Sequence, residues 1–190
     1  MPHALSDPAA PSQWIVRWAH LVPAGGKVLD LACGGGRHAR FFAGRGHPVV
    51  ACDRDAAALA TLAAVPGIEV LEADLEDGSP WPFPPGRFAG IVVANYLHRP
   101  LFSAITAALA PGGVLLYETF VSGNERYGKP SNPRFLLQRD ELIGAFGRDL
   151  VIAGYEQGRV TKEKSALIQR LCAIRSQALD NDLDPTEAPD

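Results

Sequence analysis

Apolar positions along the chain fall alternately into short continuous runs and longer stretches of helical spacing. KVLDLA (27–32), PVVAC (48–52), IEVLE (68–72), FAGIVVA (88–94) and VLLYE (114–118) have strand length, and helices are predicted over 36–45, 55–64 and 101–110 between them, with another at 11–21 ahead of the first strand. Strands that read as nearly unbroken apolar runs are buried on both faces, which is the habit of a parallel sheet covered by helices on each side. After the fifth strand a long connection over 119–136 leads to a helix near 139–146 and to two further β-rich segments, 150–157 and 166–174. The link 158–165 is too short for a crossover helix, so these last two strands form an antiparallel hairpin. The expected fold is α/β: a doubly wound, Rossmann-like, seven-stranded sheet, mostly parallel, with a C-terminal antiparallel hairpin.

Composition and charge narrow the picture. The 190 residues suit one domain, expected over 1–178, and the last twelve, LDNDLDPTEAPD (179–190), hold five acids, two prolines and no base. Such a segment buries too little to offset its ordering entropy, so it reads as a disordered acidic tail. Removing its five acids from a formal charge of −3 leaves the body at +2. Nucleic acid is therefore disfavoured as a partner, although a mildly basic body leaves room for it. No apolar stretch approaches membrane-spanning length and no signal sequence opens the chain. Cys33, Cys52 and Cys172 are odd in number and widely spaced, which fits reduced thiols in a cytoplasm, and no metal site is expected. Fourteen of the eighteen basic residues are Arg, a bias compatible with a bacterial source.

Candidate chemistry begins with VLDLACGGGRHA (28–39), a strand, a glycine turn and the start of a helix. In a doubly wound fold this turn lies beyond the carboxyl ends of the strands, where ligands bind. Gly34 and Gly36 allow the close approach of a ligand, and the helix start offers N–H donors. The spacing Gly34-x-Gly36-x-x-Ala39 also satisfies a dinucleotide pattern, with Asp53 placed for a ribose. Asp30 separates the readings: it would repel a pyrophosphate but attract a ligand carrying an ammonium and a sulfonium, which is S-adenosylmethionine.

With Asp30, Cys33, Gly34 and Gly36 as its first motif, the chain resembles the class I S-adenosylmethionine-dependent methyltransferases from about residue 28 to 174. Its size is similar to that of the tellurite-resistance and thiopurine-type small-molecule branch. One departure is Ala32, where that family most often has glycine. The resemblance implies S-adenosylmethionine as donor and S-adenosylhomocysteine as product. It implies that Asp53 holds the ribose hydroxyls, that Arg54 flanks the adenine, and that Asp74 and Leu75, with Ala73 close by, receive the adenine edge. Ala94, Asn95, Tyr96 and Leu97 would cover the methionine part and face the substrate, and Ala32 and His38 are further donor-binding candidates. Asp53 also suits a helix cap and Asp74 a solvated acidic run; Cys33 and Cys52 read as small buried apolar residues.

On the acceptor side, the resemblance places catalytic groups in Asn95-Tyr96-Leu97-His98-Arg99-Pro100. Tyr96 and His98 are the candidates, because an imidazole takes up a proton near neutral pH. The connection 119–137 is where such enzymes insert substrate loops, and Arg126, Tyr127 and Arg134 within it, with Arg99, are candidate substrate contacts that form a cationic lid. Asn132-Pro133 is similar to an amino-group methyltransferase motif but stands in the wrong place. Trp14, Arg17 and Trp18 share a helix face; the resemblance implies that this helix covers the donor, with Trp14 or Trp18 near the sulfonium and Arg17 at the carboxylate, and ordinary core packing of the tryptophans is the equal alternative; Arg37 and His38 reach either that carboxylate or solvent, with His38 preferred. The favoured activity is methyl transfer to a small or soft acceptor by in-line displacement, in a monomer or homodimer. RNA or protein methylation, and a noncatalytic S-adenosylmethionine-binding regulator, are the alternatives.

Overall fold

Five strands, β1 (Val28–Leu31), β2 (Val49–Asp53), β3 (Ile68–Glu72), β4 (Phe88–Ala94) and β5 (Leu109–Phe120), run parallel in a computed structural model that describes residues 10–161 and 165–176. The segment 179–190 and part of the link 158–165 lie outside the described residues. β6 (Val151–Val160) and β7 (Ala166–Ile174) complete one seven-stranded sheet in the order β3-β2-β1-β4-β5-β7-β6. β7 is antiparallel to both β5 and β6. The expected hairpin is therefore present, and its second strand inserts beside β5 so that β6 occupies the edge.

The period-two alternation of strand side chains divides the core into two layers. Leu29, Leu31, Ile91, Val93, Leu115 and Tyr117 point to one face, where α4 (Phe102–Ala108) and α5 (Glu141–Phe146) pack through Ile105, Leu142 and Phe146. Val28, Val92, Val114 and Leu116 point to the other, against Trp14 and Ile15 of α1 (Gln13–Trp18), Phe42 of α2 (Arg37–Ala43) and Leu59 of α3 (Ala56–Ala60). All four residues of β1 are buried, as its central position requires, whereas the edge strand β3 is largely exposed. No helix among the described residues is long and apolar enough to cross a membrane.

Three elements differ from expectation for local reasons. The helix expected over 11–21 is α1 followed by a 3-10 turn, Ala19–Leu21. α3 ends at Ala60, because the amides of Thr61 and Leu62 bond three residues back and Thr61 Oγ1 donates to the Ala58 carbonyl at 2.7 Å. Pro111-Gly112-Gly113, which falls between the expected helix over 101–110 and the expected strand over 114–118, lies inside β5. Leu109 already pairs with Phe88, and the amide of Gly112 and the carbonyl of Gly113 bond to Arg175 just beyond β7. That tertiary pairing is invisible to local spacing.

Candidate functional site

The strand order reverses between β1 and β4, and the carboxyl ends of β1 to β4 open there into a crevice, the usual ligand position in an open α/β sheet. Ala32 divides it. On one side Ala32, Asp53, Arg54, Ala73, Asp74, Leu75 and Tyr96 line a cavity of about 200 Å³, with Glu76. On the other, Ala32, Asp30, Cys33, Gly34, His38, Ala94 and Asn95 line one of about 530 Å³, with Arg37 and Arg40. The structure thus brings most of the expected donor-binding residues together.

The turn after β1 is wound by left-handed backbone at Ala32 (φ 53°), Gly34 (φ 52°) and Gly36 (φ 70°). For alanine this conformation costs roughly 1–2 kcal/mol, which glycine avoids. Gly36 was expected to admit a ligand, but it lines neither cavity. Its reason is packing: a Cβ there would fall within 2.4 Å of a Leu62 methyl in the core.

Asp30 differs from expectation in kind. It is 1% exposed, its Oδ2 accepts the Ala39 amide at 2.8 Å, and burial pushes its carboxyl up to about 7 despite that bond and the nearby Arg37 charge. It is a buried acid at the base of the larger cavity, half protonated near neutrality, and not a standing anion. A cation in the cavity would favour its ionised form. His38 is corrected likewise: its Nε2 accepts the Ser12 amide at 3.2 Å, and burial, with Arg37, lowers it to about 4. A neutral imidazole offers no charge to a carboxylate; the cationic side chains of that cavity are Arg37 and Arg40. Burial pushes the Cys33 thiol above its ordinary range and Cys52 up to about 12, so both are poor nucleophiles.

Asp53 is not a helix cap; Asp55 fills that place, accepting from the amides of Ala57 and Ala58. Asp53 Oδ2 accepts the Gly34 amide at 2.7 Å and Oδ1 the Asp55 amide at 2.9 Å. Two backbone donors therefore orient the carboxylate while each oxygen keeps a lone pair for a ligand. Asp74 is similarly engaged, by the Glu76 amide at 2.9 Å and by Arg54 at 3.8 Å. Asn95 has φ 58° and bonds through its amide to the Glu118 carbonyl. Tyr96 follows it, and its carbonyl accepts the Tyr117 hydroxyl at 3.0 Å. Its own hydroxyl is buried without a well-aligned partner among the described residues. Burial first, then the adjacent Glu76 carboxylate, raise the phenol above its ordinary range. His98 lies outside both cavities, its Nδ1 3.9 Å from Glu76 Oε2.

Residues 28–113 match the family described as "Methyltransferase domain". That match spans 86 of the chain's 190 residues. Among solved structures, TehB from Haemophilus influenzae superposes with a TM-score of 0.73 at 17% identity over 87% of this chain and 63% of that one. This chain therefore spans less than two thirds of that protein's length. An S-adenosylmethionine-dependent methyltransferase from Mesorhizobium loti gives 0.68 at 18% identity, covering 90% of this chain and 100% of that one. The [4+2]-cyclase SpnF gives 0.66 at 13% identity, covering 85% and 81%. At these identities the likeness establishes a shared fold, the class I methyltransferase fold, and a cyclase among the neighbours illustrates that fold does not dictate reaction. No curated protein sequence matches the chain.

Outside the crevice, the fold gives several expected ligand contacts other work. Arg99 is a clamp: its guanidinium holds both carboxylate oxygens of Glu141 at 2.6 and 2.9 Å and the carbonyls of Arg134 and Leu136 at 3.0 and 2.9 Å. It pins the end of the 119–137 connection to α5, which leaves a single N–H for anything else. Arg126, Tyr127 and Arg134 line neither cavity. Arg126 and Arg134 sit on two 3-10 turns, Asn124–Arg126 and Pro133–Phe135, with Tyr127 capping the first, and Asn124 Oδ1 accepts the amide of Leu167, so the connection is tied to β7. Trp14 is 2% exposed, with its indole N–H on the Leu171 carbonyl, and Arg17 pairs with Glu156 at 3.0 Å. Core packing and a surface ion pair account for both. Glu76 and Arg40 belong to the cavities but were passed over in sequence. The only signal for Glu76 was its place two residues after Asp74 on the turn that follows a strand.

Proposed function

We propose that this protein transfers a methyl group from S-adenosylmethionine to a small or soft acceptor, leaving S-adenosylhomocysteine. The observation that carries the reading is the division of the crevice at Ala32 into two chemically different halves. The smaller half offers the carboxylates of Asp53, Asp74 and Glu76 beside the apolar Ala73 and Leu75, a fit for a nucleoside that presents hydroxyl and amino donors on a flat ring. The larger half offers Asp30 and Arg37, one group for an ammonium or sulfonium and one for a carboxylate.

When bound, the sulfonium supplies an electrophilic methyl carbon. What remains for the chain is to hold, align and exclude water. Asp53, fixed by its two backbone donors, would anchor the ribose, Arg37 would hold the carboxylate end, and Asp30, in its ionised form with its proton given up to water, would face the cation. Cys33, Ala94 and Asn95 shape the half in which a small acceptor meets the methyl group. His98 stands outside both cavities, which supports an acceptor that is already anionic and needs no general base, such as a thiolate, a chalcogen oxyanion or a carboxylate. A cytoplasmic location in a bacterium, one domain over 1–178 and a monomer or homodimer belong to the same reading.

Calorimetric titration with S-adenosylhomocysteine, S-adenosylmethionine and NAD tests it. Micromolar binding of the first two and none of the third is expected. Binding of NAD alone overturns the assignment.

A further inference from the structure

Ala32 alone among the described residues lines both cavities of the crevice. Its backbone is left-handed, with φ 53°, a conformation in which an L side chain is strained and glycine is not. The same turn holds Gly34, Gly35 and Gly36, of which Gly35 has no left-handed φ and has open space around a Cβ. A side chain therefore stands where the backbone disfavours one, and none stands where the backbone would accept one. Strain of this kind persists only where the surrounding structure overrides it, and it gathers at ligand clamps.

We propose that Ala32 is a specificity-determining contact of the crevice: its methyl group narrows the waist between the two halves and favours a ligand joined across that waist by a thin link over a nucleoside alone. The proposal rests on the donor assigned above, whose methylene and sulfur form such a link. A nucleoside fills the smaller half and an amino acid the larger, and neither has to pass Ala32. A ligand that spans both halves meets the methyl group at its link, and the contact restricts rotation there, which aligns the sulfur for transfer. The strained backbone lowers fold stability whether or not a ligand is bound, whereas the methyl contact exists only with a spanning ligand in place.

The test compares the wild type with Ala32→Gly by calorimetric titration with S-adenosylhomocysteine, by ligand-observed magnetic resonance with adenosine, and by thermal melts. S-adenosylhomocysteine is expected to bind the variant roughly three- to tenfold more weakly, from one lost methyl contact and a freer link, with adenosine affinity unchanged within about twofold. The melting temperature should equal or exceed that of the wild type, because glycine relieves the left-handed strain. A merely structural role gives another pattern: a loosened turn would release the Gly34 amide from Asp53 Oδ2 and weaken adenosine by the same factor. Equal weakening of the two ligands, or an unchanged affinity for S-adenosylhomocysteine, overturns the inference while leaving the donor assignment standing. Failure of the folded wild type to bind S-adenosylhomocysteine overturns both.

Discussion

Replacing Asp30 by Asn should change how stability depends on pH more than it changes stability at any one pH. Burial raises the Asp30 carboxyl from an ordinary 3.8 to about 7. A group that binds its proton more tightly when folded stabilises the fold while protonated, and that contribution is lost as pH rises through the folded value. The interval from 3.8 to about 7, at ~1.36 kcal/mol per pH unit, corresponds to about 4 kcal/mol lost between roughly pH 4 and 8. His38 acts in the opposite sense: it is lowered from 6.5 to about 4, so its contribution is present above 6.5 and lost as pH falls toward 4. That interval is about 3 kcal/mol. The two groups offset each other in the wild type. Asp30→Asn keeps an acceptor for the Ala39 amide and removes the titration, so the His38 dependence should emerge alone, with stability rising from pH 4 to 7. Urea unfolding of both proteins at pH 4, 5, 6, 7 and 8 measures this. The amide's unpaired N–H adds a constant offset, so the informative quantity is the difference between the curves. Parallel curves within about 1 kcal/mol would refute the assignment of a buried, protonated Asp30.

Arg99→Ala should lower stability by about 2–3 kcal/mol, from charged hydrogen bonds lost to Glu141 and two carbonyls left without their donor; Arg99→Lys should recover less than half, because an ammonium lacks the planar fork. Thermal melts compare them, and an unchanged midpoint in the Ala variant would remove the clamp. Asp53→Ala should weaken S-adenosylhomocysteine binding by about 1–3 kcal/mol at unchanged secondary structure, and unchanged affinity would end its ribose role. Gly36→Ala should cost about 2–4 kcal/mol, from left-handed strain at φ 70° and collision with the buried Leu62; a change under 0.5 kcal/mol in denaturant unfolding would contradict the packing account.

The unbroken apolar runs of β1, β4 and β5 and the short link before β7 are local facts about the chain, and they sufficed for a parallel sheet ending in a hairpin. The glycine turn between β1 and α2, with acids at the ends of β1 and β2, placed the crevice and most of its walls for the same reason: strand ends and turns are written in neighbouring residues. Which side chains are free to act was decided by tertiary structure. Arg99 looked like a substrate contact until Glu141, forty-two residues later, took both arms of its fork. His38 looked like a cation until burial and the Ser12 amide made it a neutral acceptor. Asp30 looked like an anion until burial raised it. Spacing along a chain specifies backbone geometry because that depends on neighbours; the charge and availability of a side chain depend on whatever the fold packs against it, and those partners come from anywhere in the sequence.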